Sequence, residues 1–83
     1  MEKVALLTGA AGGLGRSVAN RLAEAGWQLI LVSRHGDRLA QAYGRAHLQV
    51  AADCSTVAGA RQIIEVAKAH ELLPSALAHC VGN

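Results

Sequence analysis

Four short apolar runs alternate with three segments whose apolar residues recur at helical spacing, and no other feature restricts the fold of this chain more. The runs are Val4 to Leu7, Gln28 to Ser33, Leu48 to Ala52 and Ala76 to Val81. Runs this short and this apolar suit strands covered on both faces. Strands that alternate with helices imply a parallel sheet, and right-handed crossovers then leave few topologies. The expected order is βαβαβαβ, in the α/β class.

The helical segments carry their own punctuation. Leu14, Val18, Leu22 and Ala25 fall on one predicted face, and Gly26 stands where a left-handed helix stop belongs. A short helix is expected over Asp37 to Arg45, with Leu39, Ala42 and Tyr43 inward. Asp53-Cys54-Ser55 offers the third helix an N-cap acceptor before Val57, Ala60, Ile63, Ile64 and Ala67, and that helix should end near His70, ahead of Pro74.

Composition narrows the function classes. Eighty-three residues make one small domain at most, and 52% apolar with 17% charged residues is globular rather than disordered composition. No apolar stretch approaches the ~20 residues of a membrane span. The N-terminal residues lack the layout of a signal peptide, so a cytoplasmic address is expected. A net charge of +2 spread over scattered basic residues, with 2% aromatics, argues against nucleic-acid binding. Cys54, Cys80 and the dispersed histidines match no metal-ligand spacing, and the cysteines read as small buried thiols.

Chemistry concentrates in Thr8-Gly9-Ala10-Ala11-Gly12-Gly13-Leu14-Gly15, between the first strand and the first helix. Backbone N–H groups at a helix start are unpaired and the helix dipole favours negative charge, so this corner is suited to an anion. Glycines there permit a tight turn, close approach of a phosphate to the backbone, and close packing of helix on sheet. The spacing is neither Gly-x-Gly-x-x-Gly nor a P-loop, for which Gly-Lys-Ser/Thr is missing.

Thr-Gly-x-x-x-Gly-x-Gly closely resembles the nucleotide-binding signature of the short-chain dehydrogenase/reductase family. The resemblance extends over essentially the whole chain, and it implies a Rossmann-type parallel sheet with strand order 3-2-1-4. It makes residues 1–83 the N-terminal half of a dinucleotide-binding domain, an incomplete one. It also implies that Gly9, Gly13 and Gly15 line the turn under the pyrophosphate, with Thr8 as structural support, and that Gly12, Leu14 and Gly82 are further cofactor-binding residues. The ribose-reading position lies about twenty residues on, just past the second strand. Ser33 and Arg34 stand there, with Arg38 a turn further. A carboxylate would bind free ribose hydroxyls and repel a 2′-phosphate, whereas a guanidinium offers that phosphate a fork of donors. The implied cofactor is NADP(H) rather than NAD(H). Gly12 occupies a place where many NADP-preferring relatives carry a basic residue. Arg34 is alternatively a solvated charge.

By the same resemblance Asp53 meets the adenine amino group; its other role is capping the third helix. His79-Cys80-Val81-Gly82 stands where the family has Asn-Asn-Ala-Gly, and only Gly82 agrees. His79 is expected to bond to backbone. Family members transfer a hydride with a Ser and a Tyr-x-x-x-Lys set. Tyr43 is the only tyrosine, has His47 four residues later and lies in the wrong segment, so no catalytic residue is assigned and the chain alone should be inactive.

Strand order 3-2-1-4 puts two helices on one face and one on the other, and leaves the fourth strand as an apolar open edge. That surface calls for further sequence or for a second copy of the chain. Three strand spacings hold Cys54 and Cys80 roughly 14 Å apart, too far for a disulfide. The expected function is the NADP(H)-binding portion of an oxidoreductase acting on a carbonyl or alcohol. The alternatives are a non-catalytic dinucleotide-binding or sensing module, and a truncated fragment that only self-associates.

Overall fold

The computed structural model describes residues 3–80. Its elements follow the expected alternation: β1 (Val4–Thr8), α1 (Gly13–Glu24), β2 (Gln28–Ser33), α2 (Gly36–Tyr43), β3 (Leu48–Ala51), α3 (Val57–Ala69) and β4 (Ala76–His79). The strands form one parallel sheet in the order β3-β2-β1-β4. Register is fixed by pairs such as Leu6 with Ile30, Leu6 with Leu77, and Val32 with Val50.

Side chains alternate across this sheet and divide the core in two. Ala5, Leu7, Leu29 and Leu31 join Ala19 of α1 and Leu39 of α2 on one face. Val4, Ile30, Val32 and Val50 join Ile63 and Ala67 of α3 on the other. The central strands β1 and β2 are buried on both faces, which is why their sequences read as continuous apolar runs.

In α2, Leu39 and Tyr43 face inward as predicted, whereas the buried faces of α1 and α3 depart in part from those that periodicity predicts. In α1 the buried residues are Gly15 and Ala19, with Val18, Leu22 and Ala23 packed alongside. Leu14 is 57% exposed and Ala25 is exposed as well. Small residues bring the α1 backbone down onto the glycine turn, and the stripe through Gly15 and Ala19 therefore faces the sheet. In α3 the stripe is Gly59, Ile63 and Ala67, while Val57 and Ile64 are exposed.

The boundaries shift too. Helix α2 ends at Tyr43 rather than Arg45, because Gly44 takes φ +62° and its N–H closes on the Ala40 carbonyl at 2.8 Å. Helix α3 is capped by Thr56, whose Oγ1 accepts from the Gly59 N–H at 2.9 Å. Neither Asp53 nor Ser55 is the cap. Gly26, at φ +90°, stops α1 as predicted. Strand β4 ends at His79, and the expected extension to Val81 lies outside the described residues, as does Gly82.

Candidate functional site

The carboxyl ends of parallel strands open onto one side of the sheet, and a ligand crevice forms where successive crossovers part to opposite faces. Here that place lies between β1 and β4, since α1 and α2 cover one face and α3 the other. A groove of about 320 Å³ occupies it, drawing on all four strand ends: Gly9 and Gly12, Ser33 and Arg34, Asp53, and His79 with Cys80.

The glycine turn is tied down from three sides. Gly9 has φ +67°, and a Cβ there would run into the Cys80 carbonyl, so this glycine lets β4 close against the turn. Ala10 donates its N–H to the Val32 carbonyl at 3.1 Å and accepts from the Tyr43 hydroxyl at 2.7 Å. A Cβ on Gly15 would meet the Gly9 carbonyl and the Ala10 Cα, so Gly15 seats α1 on the turn. Of the predicted glycines, Gly9 and Gly12 line the groove and Gly13 and Gly15 do not; nor does Leu14, whose side chain faces outward. Residues 13 to 15 contribute the first turn of α1. No side chain caps that turn and no acidic residue lies in it.

At the end of β2, Ser33 is buried and its Oγ accepts from the His35 N–H at 3.1 Å, which curls the chain so that Arg34, His35 and Arg38 border the groove. Asp53 faces them from the end of β3. Its Oδ1 accepts from the Ser55 hydroxyl at 2.6 Å and the Ser55 N–H at 2.9 Å. The Ser55 hydroxyl, then its N–H, and then the charge of Arg34 hold the Asp53 carboxyl below its ordinary value. Asp53 thus stiffens the turn before α3 instead of capping that helix.

On β4, the Cys80 N–H donates to the Thr8 carbonyl at 3.1 Å, and the Thr8 hydroxyl pairs with His79 Nδ1 at 2.5 Å. His79 is exposed and bonds to a side chain, not to backbone as expected. Cys80 is buried, which pushes its thiol up, and Cys54 is exposed rather than buried; both are free. Sequence reading missed the Tyr43 contact with the glycine turn, although a tyrosine on an inward helix face needs a partner for its hydroxyl. Among the described residues no group of His, Cys, Asp and Glu could hold a metal ion, and no helix is long and apolar enough to cross a membrane.

A glycine turn between strand and helix, opening on a groove at the point where crossovers diverge, is nucleotide-binding architecture. The family model for short chain dehydrogenases matches residues 3–77. The chain belongs to the short-chain dehydrogenase family. A sulfoacetaldehyde reductase of Chromohalobacter salexigens is 49% identical over 41 residues, which cover 49% of this chain and 16% of that protein. The NADH complex of a 3-ketoacyl-(acyl-carrier-protein) reductase from Brucella melitensis superposes with TM-score 0.82 at 35% identity, over 90% of this chain and 32% of that one. The NADP complex of Pseudomonas aeruginosa RhlG superposes with TM-score 0.85 at 27% identity, over 98% of this chain and 35% of that one. This short-chain dehydrogenase chain therefore spans about a third of the solved relatives it matches, and less of the curated one. The Brucella melitensis protein was solved with NADH and Pseudomonas aeruginosa RhlG with NADP.

Proposed function

We propose that residues 1–83 form the N-terminal, NADP(H)-binding half of a dinucleotide-binding domain, in an oxidoreductase that interconverts a carbonyl and an alcohol. The observation that carries the cofactor choice is the charge at the end of β2. Arg34, His35 and Arg38 border the groove there, and the one carboxylate in its lining, Asp53, belongs to β3 and is engaged by Ser55. A 2′-phosphate finds donors at that corner, whereas the free hydroxyls of NAD(H) lack the acceptor they need.

The residues present suit such a guest. The uncapped first turn of α1 offers amides to the pyrophosphate, Gly12 leaves the approach clear, and Asp53 is placed to accept from the adenine amino group. The bound nicotinamide supplies the hydride. This chain's own residues bind and orient it. The carbonyl or alcohol chemistry needs an acid/base that we assign to no residue of this chain, so the 83 residues alone should not turn over. Two unpaired thiols accord with a cytoplasmic setting. The open β4 edge is a surface for a second copy or for further sequence of the same protein.

Calorimetric titration tests the assignment. NADPH should bind at least about tenfold more tightly than NADH, the worth of one charge-assisted pair. Arg34→Asp should remove that preference or reverse it. Equal affinities in the unaltered chain would overturn the NADP(H) reading. A non-catalytic sensor is distinguished by extending the chain: turnover lost on replacing a tyrosine supports the enzyme.

A further inference from the structure

His79, the last residue of β4, stands in register with Thr8, the last residue of β1. Leu7 and Ala78 belong to the core on the α1 face, so Thr8 and His79, each the next residue along, point to the α3 face. There the Thr8 hydroxyl and His79 Nδ1 lie 2.5 Å apart. Thr8 is buried, whereas His79 is exposed and lines the groove. The pair lies directly beneath the glycine turn, since Gly9 follows Thr8 and the Cys80 carbonyl fills the place of its Cβ. A ring held at Nδ1 by a buried partner is fixed in direction, and Nε2, which has no partner among the described residues, is left for a guest.

Imidazole is the side chain that changes charge between pH 5 and 8. In the neutral ring Nδ1 either accepts from the Thr8 hydroxyl or donates to it. Once a proton from solvent adds to the ring, both nitrogens donate: Nδ1 to Thr8 Oγ1, and Nε2 to an acceptor in the groove. That charge has no counter-charge in the protein. Strand β1 and the glycine turn carry no titratable side chain. Cys80, next along β4, is buried with its thiol pushed up and so neutral. On the same face of the sheet, the charged residues of α3 are Arg61, Glu65 and Lys68, all exposed and away from its buried stripe. Across the groove stand Arg34, His35 and Arg38, then Asp53 and Cys54 after β3. Asp53, the one carboxylate, already accepts from Ser55. Three strand spacings put it roughly 14 Å from His79, beyond a Debye length of about 10 Å. The anion that a charged His79 lacks must therefore arrive with the ligand, and the nearest one is the pyrophosphate on the glycine turn beside it.

We propose that His79 is a cofactor-binding residue whose imidazolium donates from Nε2 to a pyrophosphate oxygen, so that binding of the dinucleotide is coupled to uptake of a proton. Thr8 is the positioning residue that aims the ring. The inference rests on the dinucleotide reading of the groove and is independent of the choice between NADPH and NADH.

The test titrates the full chain with NADH, because the 2′-phosphate of NADPH itself titrates near about pH 6. Calorimetry at fixed ionic strength compares pH 8 with pH 6, each in two buffers of different ionisation enthalpy. Affinity should rise about tenfold toward pH 6, the worth of one charge-assisted contact, and the buffers should report a proton taken up. His79→Asn keeps a polar atom near the place of Nδ1, so Thr8 retains a partner while Nε2 is gone. Its NADH affinity should be the same at both pH values. His35→Asn, which removes the other imidazole at the groove, should keep the tenfold rise. Should His79→Asn fail to fold, magnetic resonance of the unaltered chain reads the same event: NADH at pH 7 should move the His79 ring signal toward its protonated position. A pH-independent NADH affinity in the unaltered chain, a ring signal that NADH leaves unmoved, or a rise that survives His79→Asn or vanishes in His35→Asn would refute the role of His79 and leave dinucleotide binding standing. Binding of neither NADH nor NADPH at any pH would overturn both.

Discussion

Gly9, Gly13 and Gly15 look equivalent in the motif and are not. Gly9 is required by a positive φ and by the Cys80 carbonyl, Gly15 by the backbone of Gly9 and Ala10, and around Gly13 nothing lies within 4 Å of a would-be Cβ. In Gly15→Ala, urea unfolding should register a loss of about 1–3 kcal/mol or more, since backbone rather than a movable side chain is in the way. Gly13→Ala should be neutral or gain up to about 1 kcal/mol, because alanine is the better helix former. Asp53 gives a prediction of a different kind. Its folded-state pKa is lowered, chiefly by the Ser55 hydroxyl, so the carboxylate stabilises the fold at pH values above the ordinary carboxyl range near 4. That contribution is lost as pH falls through the lower, folded value. The urea midpoint should accordingly drop between pH 5 and pH 3, and drop less in Ser55→Ala, which removes the largest cause of the shift.

At the scale of elements, Thr56 and Tyr43 each join pieces that local pattern treats separately. Thr56→Ala removes the α3 cap and should cost about 1 kcal/mol in the same unfolding measurement. Tyr43→Phe keeps the ring but leaves the buried Ala10 carbonyl without its hydroxyl partner, at a cost of about 1 kcal/mol. Neither contact was foreseen, and the reasons differ. Asp53, Ser55 and Thr56 lie within four residues and any of them can cap, so composition cannot choose; the chain settles it by using Asp53 to bind Ser55. The Tyr43–Ala10 and Thr8–His79 bonds join residues 33 and 71 positions apart, beyond the reach of any periodicity. The central place of β1 and β2, by contrast, was legible, since double burial is written into their apolar runs, and the order 3-2-1-4 followed from the resemblance to the family. Helix orientation was read wrongly where Leu14 and Val57 stood in for Gly15 and Gly59. Hydrophobic patterning counts large side chains, but these helices are seated by their smallest residues. At Gly59 a Cβ would meet the Asp53 carbonyl.

For the whole molecule, the uneven covering of the sheet has a consequence at β4. Ala78 packs into the core on the α1 face, so Leu77 points to the α3 face; yet it is 67% exposed, because α3 sits over Ile30, Val32 and Val50, nearer the other edge. Among the described residues, β4 pairs with β1 on one side only, and neither proline nor a charged residue guards Ala76–His79. A bare edge next to an uncovered leucine is the kind of surface that pairs with another chain. Sedimentation across a range of concentrations should therefore show this chain self-associating, with Leu77→Lys shifting it toward monomer. Because Leu77 is exposed in the single chain, that substitution should change monomer stability by no more than about 0.5 kcal/mol. It should also leave NADPH affinity alone, since Leu77 is not among the groove residues. A monomer at every concentration in both proteins would remove β4 as a contact between copies and leave further sequence of the same protein as its cover.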